Sequence, residues 1–440
     1  MIARESPARL ESRRTDALVG ETRCTVLDNG LRVVTDPVAG LQSASIGLWV
    51  DTGSRYETPA ESGISHMLEH MLFKGTARRS ARAIAEEIED VGGHMNAFTT
   101  RDHTSFYAKV LSADIPLAVD MLADIAQHST FAEHELTRER EVILQEIGQV
   151  EDTPDDIVFD RLQETAFPDQ PLGWSILGTA ERVASITRDQ LVDYWARQYR
   201  GGNIVLTAAG DVDHAQIVDL AAGAFAALPS GPAGVCPPAS YRGGDSRDPR
   251  SAEQLHITLG LPGVAFGDDD YYALQVFSTM LGGSMSSRLF QEVRETRGLA
   301  YSIFSSASSH ADTGLLSIYA GTSPEAAGTL VEVIAGELGR MTDGGTLSEP
   351  EIARARAQLK AGLLMSLEST SARIEQIGRQ MLVFGRLLSV EEMVSAVDAV
   401  DAEAVARVCR RVLGDGPVSL ASVGRPGTLP APDRLHSLFA

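Results

Sequence analysis

The chain repeats one order of hydrophobic segments in its two halves, and this repeat constrains the fold more than any other feature. In each half an apolar or alternating strand precedes two helices, two strands and a further helix. These segments lie at 45–50, 63–75, 80–93, 94–110 and 114–128, and again at 255–261, 271–283, 286–298, 299–322 and 325–338. Each half closes on a strand that runs into glycine, at 203–211 and 417–425. Because hairpins and helices mix without regular βαβ alternation, the repeat predicts two homologous α+β sandwich halves.

A segment rich in proline and glycine separates the halves. Residues 228–252 show no hydrophobic period, which indicates a linker. We therefore expect a flexible N-terminal tail over 1–22, a first half over 23–227 and a second half over 253–440. A chain of 440 residues is long enough for two such units.

The net charge and the cysteine content limit the partners and the cellular location that we expect. The chain has 38 Lys and Arg against 60 Asp and Glu, a net charge of −22. Such an acidic surface repels phosphate backbones and anionic lipids, so we expect no nucleic-acid partner and no membrane partner. The three cysteines form no CxxC pair, and no apolar run is long enough to span a bilayer. With no secretory signal visible, these features predict a cytoplasmic protein.

The strongest chemical signal is the pentapeptide HMLEH at residues 66–70. Its apolar neighbours predict a helix with Ser62 as N-cap. Residues i and i+4 lie one turn apart on a helix, so His66 and His70 can bind one metal ion. Glu69 lies beside that face and can hydrogen-bond a metal-bound water. The alternative is a solvated helix with two scattered histidines, but unpaired imidazoles among apolar neighbours would cost about 1–3 kcal/mol each.

A catalytic zinc site needs a third protein ligand, and an acidic helix supplies candidates. This helix is predicted over 131–154, ended by Pro154. Glu146 lies on its apolar stripe, where a carboxylate needs a partner such as a bound cation. Glu139 lies two turns earlier and could be an alternative ligand or could orient a ligating imidazole. The other acids of the segment fit a solvated face.

These motifs together resemble the inverted-zincin peptidases of the pitrilysin and insulysin clan, and more closely the mitochondrial-processing-peptidase branch and its bacterial relatives. The resemblance extends over about residues 25–425. Its motifs are HMLEH at 66–70, the glutamate 76 positions after His70, GGHMNAFT at 92–99, LGGSMSSRL at 281–289 and RETRGLAY at 294–301.

The resemblance implies a zinc-dependent endopeptidase that acts on short or unfolded peptides. It implies one Zn²⁺ ion per chain, held by His66, His70 and Glu146. Glu69 would be the general base that assists attack of the zinc-bound water, and Glu139 would orient a ligand.

The resemblance also implies how the peptide is held. One strand would be a sheet edge that the substrate joins as an added strand. Arg294 and Tyr301, from the half without a zinc motif, would contact the substrate and the developing oxyanion, although the residues alone suggest a surface salt bridge and a core aromatic. The halves would enclose a clam-like chamber, and the net charge of −22 suggests acidic walls that would favour basic peptides. The edge strand would be formed by Asn96, Ala97, Phe98 and Thr99.

The assembly has alternatives. Members of this branch are known as homodimers and as heterodimers, and a chain that carries both halves of the site favours a self-sufficient homodimer. The chain could instead be the zinc-bearing subunit of a heterodimer with a zinc-less partner, or a non-catalytic scaffold subunit. The scaffold is disfavoured because all four candidate zinc-site residues are present. A small-molecule metallohydrolase is disfavoured by the second half and the linker.

Overall fold

The computed structural model describes residues 15–231, 234, 236–414 and 416–439, which form two mixed sheets covered by helices. The strands of the first half are Thr15–Val19 (β1), Thr22–Val26 (β2), Arg32–Pro37 (β3), Ser43–Val50 (β4), His94–Thr99 (β5), Thr104–Leu111 (β6) and Ile204–Gly210 (β7). Its helices are Ile64–Leu72 (α1), Ala81–Asp90 (α2), Ile115–His128 (α3), Glu133–Glu151 (α4), Pro154–Ala166 (α5), Ala180–Ser185 (α6), Arg188–Gln198 (α7) and His214–Ala224 (α8).

The second half continues the same pattern. Its strands are Asp245–Asp248 (β8), Leu255–Pro262 (β9), Ala300–Ser309 (β10), Gly314–Thr322 (β11) and Ser419–Val423 (β12). Its helices are Tyr271–Gly282 (α9), Ala327–Met341 (α10), Glu349–Ser366 (α11), Thr370–Val383 (α12), Val390–Asp398 (α13), Ala402–Gly414 (α14) and Pro432–Phe439 (α15), with a π-helix over Phe290–Thr296. In the described part of the chain, no helix combines the length and the apolarity that a membrane span requires.

The second sheet repeats the strand order that the first sheet has from β3 to β5. The first has the order β1-β2-β3-β7-β4-β6-β5, and the second has the order β8-β12-β9-β11-β10. In each sheet the closing strand is parallel to one neighbour, β3 for β7 and β8 for β12. It is antiparallel to the other neighbour, β4 for β7 and β9 for β12. This equivalence confirms the duplicated α+β architecture that the segment order predicts.

In each half, one helix packs on the sheet of the other half. From the first half, α5 packs on β9 and β12 through residues that include Ile157 and Leu162. From the second half, α12 packs on β4 and β7, and its Ile374 and Ile377 join one apolar cluster with Trp49. Both faces of the first sheet are therefore covered, and β4 and β7 are buried at nearly every position rather than alternating as predicted for the first strand.

The predicted domain boundaries do not follow this packing. The predicted tail over 1–22 overlaps β1 and the start of β2, and residues 1–14 lie outside the described residues. The predicted linker over 228–252 contains β8, which pairs with β12, while its residues 232, 233 and 235 also lie outside the described residues. Local composition does not reveal strand pairing with partners remote in sequence, and this is the reason for the difference.

Two helices differ from their predicted extents. The helix predicted over 131–154 ends at Glu151, and Pro154 instead begins α5, where the N–H that proline lacks is not needed. The helix predicted over 286–298 is the shorter π-helix, which ends before Gly298. Gly298 has a φ of +61°, the left-handed conformation that commonly terminates helices.

A buried arginine also joins the two halves through ion pairs. Arg55, which is 3% exposed, donates to Asp102 in its own half and to Asp312 in the other, each at 2.9 Å. Asp102 also accepts a hydrogen bond from Nδ1 of His310 at 2.6 Å. Although burial opposes it, the contacts with His310 and Arg55 lower the pKa of Asp102 to about 2. This carboxylate is therefore charged at neutral pH and bridges the halves.

Gly378 allows α12 to lie directly on β4. A Cβ atom at this position would be 2.4 Å from Cδ2 of Trp49, far inside van der Waals contact. We therefore expect Gly378→Ala to lower the free energy of unfolding by about 1–3 kcal/mol, measured by chemical denaturation. The control is Gly362→Ala on α11, where an added Cβ meets nothing within 4 Å and should be neutral or stabilising by up to about 1 kcal/mol. Equal stability of the two variants would contradict the packing described.

Candidate metal centre

The HMLEH motif lies on α1, which packs on one face of the first sheet and crosses α4. Its buried residues recur at the spacing of one helix face, and the two histidines and the glutamate of the motif lie at the margin of that face. The buried residues are Ile64, Ser65, Met67, Leu68, Met71 and Leu72. The predicted helix is therefore confirmed, and its two histidines face the acids of α4.

The N-terminus of α1 is held by a carboxylate that the sequence analysis missed. Gly63 occupies the N-cap with a φ of +89°, so the prediction of Ser62 as the cap is wrong. Glu57 accepts the backbone N–H groups of Gly63 and Ser65, both at 2.8 Å. The hydroxyl of Ser65 also hydrogen-bonds that of Tyr194 at 2.8 Å. These contacts fix the turn of α1 that precedes the first histidine of the motif.

His66, His70 and Glu146 meet where α1 crosses α4. One donor atom of each residue lies within 4.8 Å of the donor atoms of the other two. Oε2 of Glu146 is 3.9 Å from Nε2 of His66 and 3.8 Å from Nε2 of His70. Two imidazoles and one carboxylate match the donor set of catalytic zinc sites, which leave one position for water or substrate. The residues present therefore fit a zinc ion.

The first histidine of the cluster is held in its neutral form. Burial and the neighbouring His70 lower the pKa of His66 to about 4, so its ring carries a free lone pair at neutral pH. Its Nδ1 atom is buried and has no hydrogen-bond partner among the described residues. The ring therefore directs its polar contacts through Nε2, towards Glu146.

The second histidine is supported from behind by Glu139 and Lys74. Nδ1 of His70 is 3.0 Å from Oε2 of Glu139, and Nζ of Lys74 is 2.7 Å from Oε1. Burial would lower the pKa of His70, but its contacts with Glu139 and Glu146 raise it above its ordinary value. Burial would raise the pKa of Glu139, but His70 and Lys74 lower it. Lys74 lies four residues after His70, a spacing that could have indicated this contact.

The burial of Glu139 and Glu146 on α4 differs from the prediction. The side chain of Glu139 is 5% exposed, whereas that of Glu146 is 39% exposed. The buried stripe of α4 consists of Leu136, Glu139 and Ile143, so Glu146 lies at its margin rather than on it. The buried carboxylate that needs a cationic partner is therefore Glu139, and Lys74 is that partner.

Glu69 lies beside the cluster and contacts the edge of the sheet. The hydroxyl of Thr99 donates to Oε2 of Glu69 at 2.5 Å. Burial raises the pKa of Glu69 above its ordinary value, while Thr99 and His70 act in the opposite direction. Thr99 ends β5, which pairs with β6 alone in the described part of the chain and so is an edge strand. The strand through Asn96, Ala97, Phe98 and Thr99 thus borders the cluster.

Arg294 and Tyr301 lie together at a pocket that is separate from the histidine cluster. The guanidinium carbon of Arg294 is 4.4 Å from the ring centre of Tyr301 and 4.7 Å from that of Phe290. Tyr301 is 74% exposed, so it is not the core aromatic that the residues alone suggest. The pocket, of about 490 Å³, is lined by residues of α5, the π-helix, β10 and β11, and its lining does not include the histidines of the motif.

Solved structures share this fold. A protease from Helicobacter pylori has a TM-score of 0.86 at 23% identity, covering 93% of this chain and 100% of that chain. A peptidase M16 inactive domain from Pseudomonas fluorescens has the same TM-score, identity and coverage. These similarities establish the two-domain α+β arrangement.

Sequence relatives are named as zinc proteases. One from Streptomyces coelicolor is 41% identical over 96% of this chain and 93% of its own length, and one from Bacillus subtilis is 39% identical over 92% and 98%. A probable mitochondrial-processing peptidase subunit beta from Arabidopsis thaliana is 39% identical over 93% and 80%. The family model for insulinase, peptidase family M16, matches residues 32–180, and that for the M16 inactive domain matches residues 185–359. The chain therefore belongs to peptidase family M16 and is a zinc metallopeptidase.

Proposed function

We propose that this metallopeptidase holds one zinc ion through His66, His70 and Glu146 and cleaves short or unfolded peptides as an endopeptidase. The observation that carries the proposal is the approach of three suitable donor atoms within 4.8 Å, with Glu69 on the same helix. When bound, zinc would act as a Lewis acid that lowers the pKa of a coordinated water to about 7.

The side chains around the cluster would carry the proton transfers. Glu69 takes a proton from the attacking water as the new C–O bond forms at the scissile carbonyl. It returns that proton to the amine nitrogen as the C–N bond breaks. Glu139 accepts the Nδ1 proton of His70 as a hydrogen bond, which leaves Nε2 free to bind the metal. Because His66 is neutral, its Nε2 atom is also free to bind the metal.

The edge strand β5 would hold the peptide. An extended peptide pairing with this edge gains main-chain hydrogen bonds that tolerate many sequences. Arg294 and Tyr301 would approach the peptide from the second half when the two halves enclose it. Support for this comes from the exposure of Tyr301 and the guanidinium stacked on it. The net charge of −22 favours basic peptides.

Hydrolysis by the purified chain tests this function. A quenched fluorescent basic peptide is incubated with the chain alone, with a zinc chelator, and with chelator followed by excess zinc. We expect cleavage within the peptide that the chelator abolishes and zinc restores, with one zinc per chain by metal analysis. A chain that binds no zinc, or one whose cleavage is insensitive to the chelator, would refute the assignment.

A heterodimer is the second candidate, and the Arabidopsis relative supports it because its name describes a beta subunit. We favour a homodimer, since this chain contains both the HMLEH cluster and the Arg294–Tyr301 pair. Size-exclusion chromatography with light scattering, combined with the hydrolysis assay, separates the two candidates. Zinc-loaded chain that cleaves nothing would favour the heterodimer with a zinc-less partner.

Lys74 should contribute to zinc affinity although it contacts none of the three proposed ligands. Its ammonium group is the cationic partner of the buried carboxylate that orients His70. We expect Lys74→Met to weaken zinc binding by about 10-fold, measured by competition with a chromogenic chelator. Lys74→Arg keeps the positive charge and should lose less zinc affinity than Lys74→Met. Equal affinity in wild type and Lys74→Met would show that this ion pair does not support the metal site.

A further inference from the structure

Thr99 connects the edge of the first sheet to the proposed general base. Its hydroxyl donates to Oε2 of Glu69 at 2.5 Å. Among the residues that the structure describes, Glu69 has no other hydrogen-bonded side-chain partner. The remaining oxygen, Oε1, is left to accept a proton. The contact therefore determines which carboxylate oxygen is occupied and which is available.

The strand itself directs Thr99 towards α1. Side chains alternate along β5, so that Met95 and Ala97 pack against the first core, which includes α1. Phe98 lies on the opposite face, where its ring is 6.0 Å from that of Trp49. Thr99 follows Phe98 and so shares the face of Ala97. The hydroxyl is held at Glu69 by the pleat of the strand and its pairing with β6 rather than by an irregular loop.

We infer that Thr99 is a positioning residue that couples peptide docking on β5 to proton transfer by Glu69. This inference rests on the proposed function. A peptide that pairs with β5 restrains the position of the strand, and the hydroxyl at its end then holds Oε2 of Glu69. Oε1 is thereby kept towards the attacking water. Thr99 acts through Glu69 and takes up no proton itself.

Two substitutions test the inference. Thr99→Val keeps the shape and removes the donor, and Thr99→Ser keeps the donor. We expect Thr99→Val to lower kcat by about 10- to 100-fold with little change in KM or in zinc affinity, because neither the strand backbone nor the metal ligands change. We expect Thr99→Ser to recover most of the lost kcat. Peptide affinity, measured by fluorescence anisotropy on the inactive Glu69→Gln background, should be the same with Thr99 and with Val at this position.

Each other result overturns the inference. A raised KM with unchanged kcat would mean that Thr99 serves peptide binding alone. Equal losses in the Val and Ser variants would mean that the shape of the side chain matters and the hydroxyl does not. A wild-type chain that binds zinc but cleaves no peptide would refute a self-sufficient peptidase, and the inference, which rests on cleavage by this chain, would fall with it. An active wild type beside an equally active Thr99→Val would refute the inference alone.

Discussion

Glu69→Gln is expected to lower kcat for peptide hydrolysis by about 10²- to 10⁴-fold, the range typical of a lost general acid–base group. Glutamine preserves the size of the side chain and can still accept the hydrogen bond that Thr99 donates. It cannot take a proton from water at neutral pH. Initial rates with the quenched peptide under saturating substrate measure the loss.

The control for this variant is its metal content. Glu69 lies outside the group of three donor atoms, so the variant should bind zinc as the wild type does. Loss of zinc together with activity would mean that Glu69 is a ligand or supports one, and the base would have to be another residue. Activity within a few-fold of wild type would also exclude Glu69 as the base.

Much of this site was predictable because its signals are local. The spacing of His66 and His70 on one helix requires only the 3.6-residue period, and α1 carries both as expected. Glu146 is less buried than its place in the hydrophobic pattern predicts, since Glu139 is the more deeply buried acid of α4. A single sequence indicates the apolar face of a helix but does not fix its rotation against a neighbouring helix.

The parts that could not be predicted depend on contacts between distant segments. Glu57 caps α1 from outside the helix, and no residue at the usual N-cap position indicates this contact. The packing of α5 and α12 on the sheet of the opposite half could not be predicted either. An amphipathic pattern shows that one face of a helix is covered, but it does not show which sheet covers it. The duplication was predictable, since the same order of hydrophobic segments recurs in the two halves of the sequence.

Glu146→Gln is expected to weaken zinc binding by more than the roughly 10- to 100-fold typical of residues that only orient a ligand. Glu146 is the anionic donor facing both imidazoles, and an amide oxygen carries no negative charge. Glu141→Gln is the matched control, because Glu141 is an exposed acid on the same helix. It removes the same charge from α4 without touching the cluster, and its zinc affinity should equal that of the wild type.

Competition with a chromogenic chelator gives both affinities, and thermal unfolding of the metal-free proteins shows whether the fold is kept. The removal of a half-exposed carboxylate should leave the metal-free melting temperature nearly unchanged. Added zinc should then raise the melting temperature of wild type and Glu141→Gln but much less that of Glu146→Gln, because a ligand stabilises only the state that binds it. If all three proteins responded equally to zinc, Glu146 would not be a ligand, and Glu139 would become the candidate for the third position.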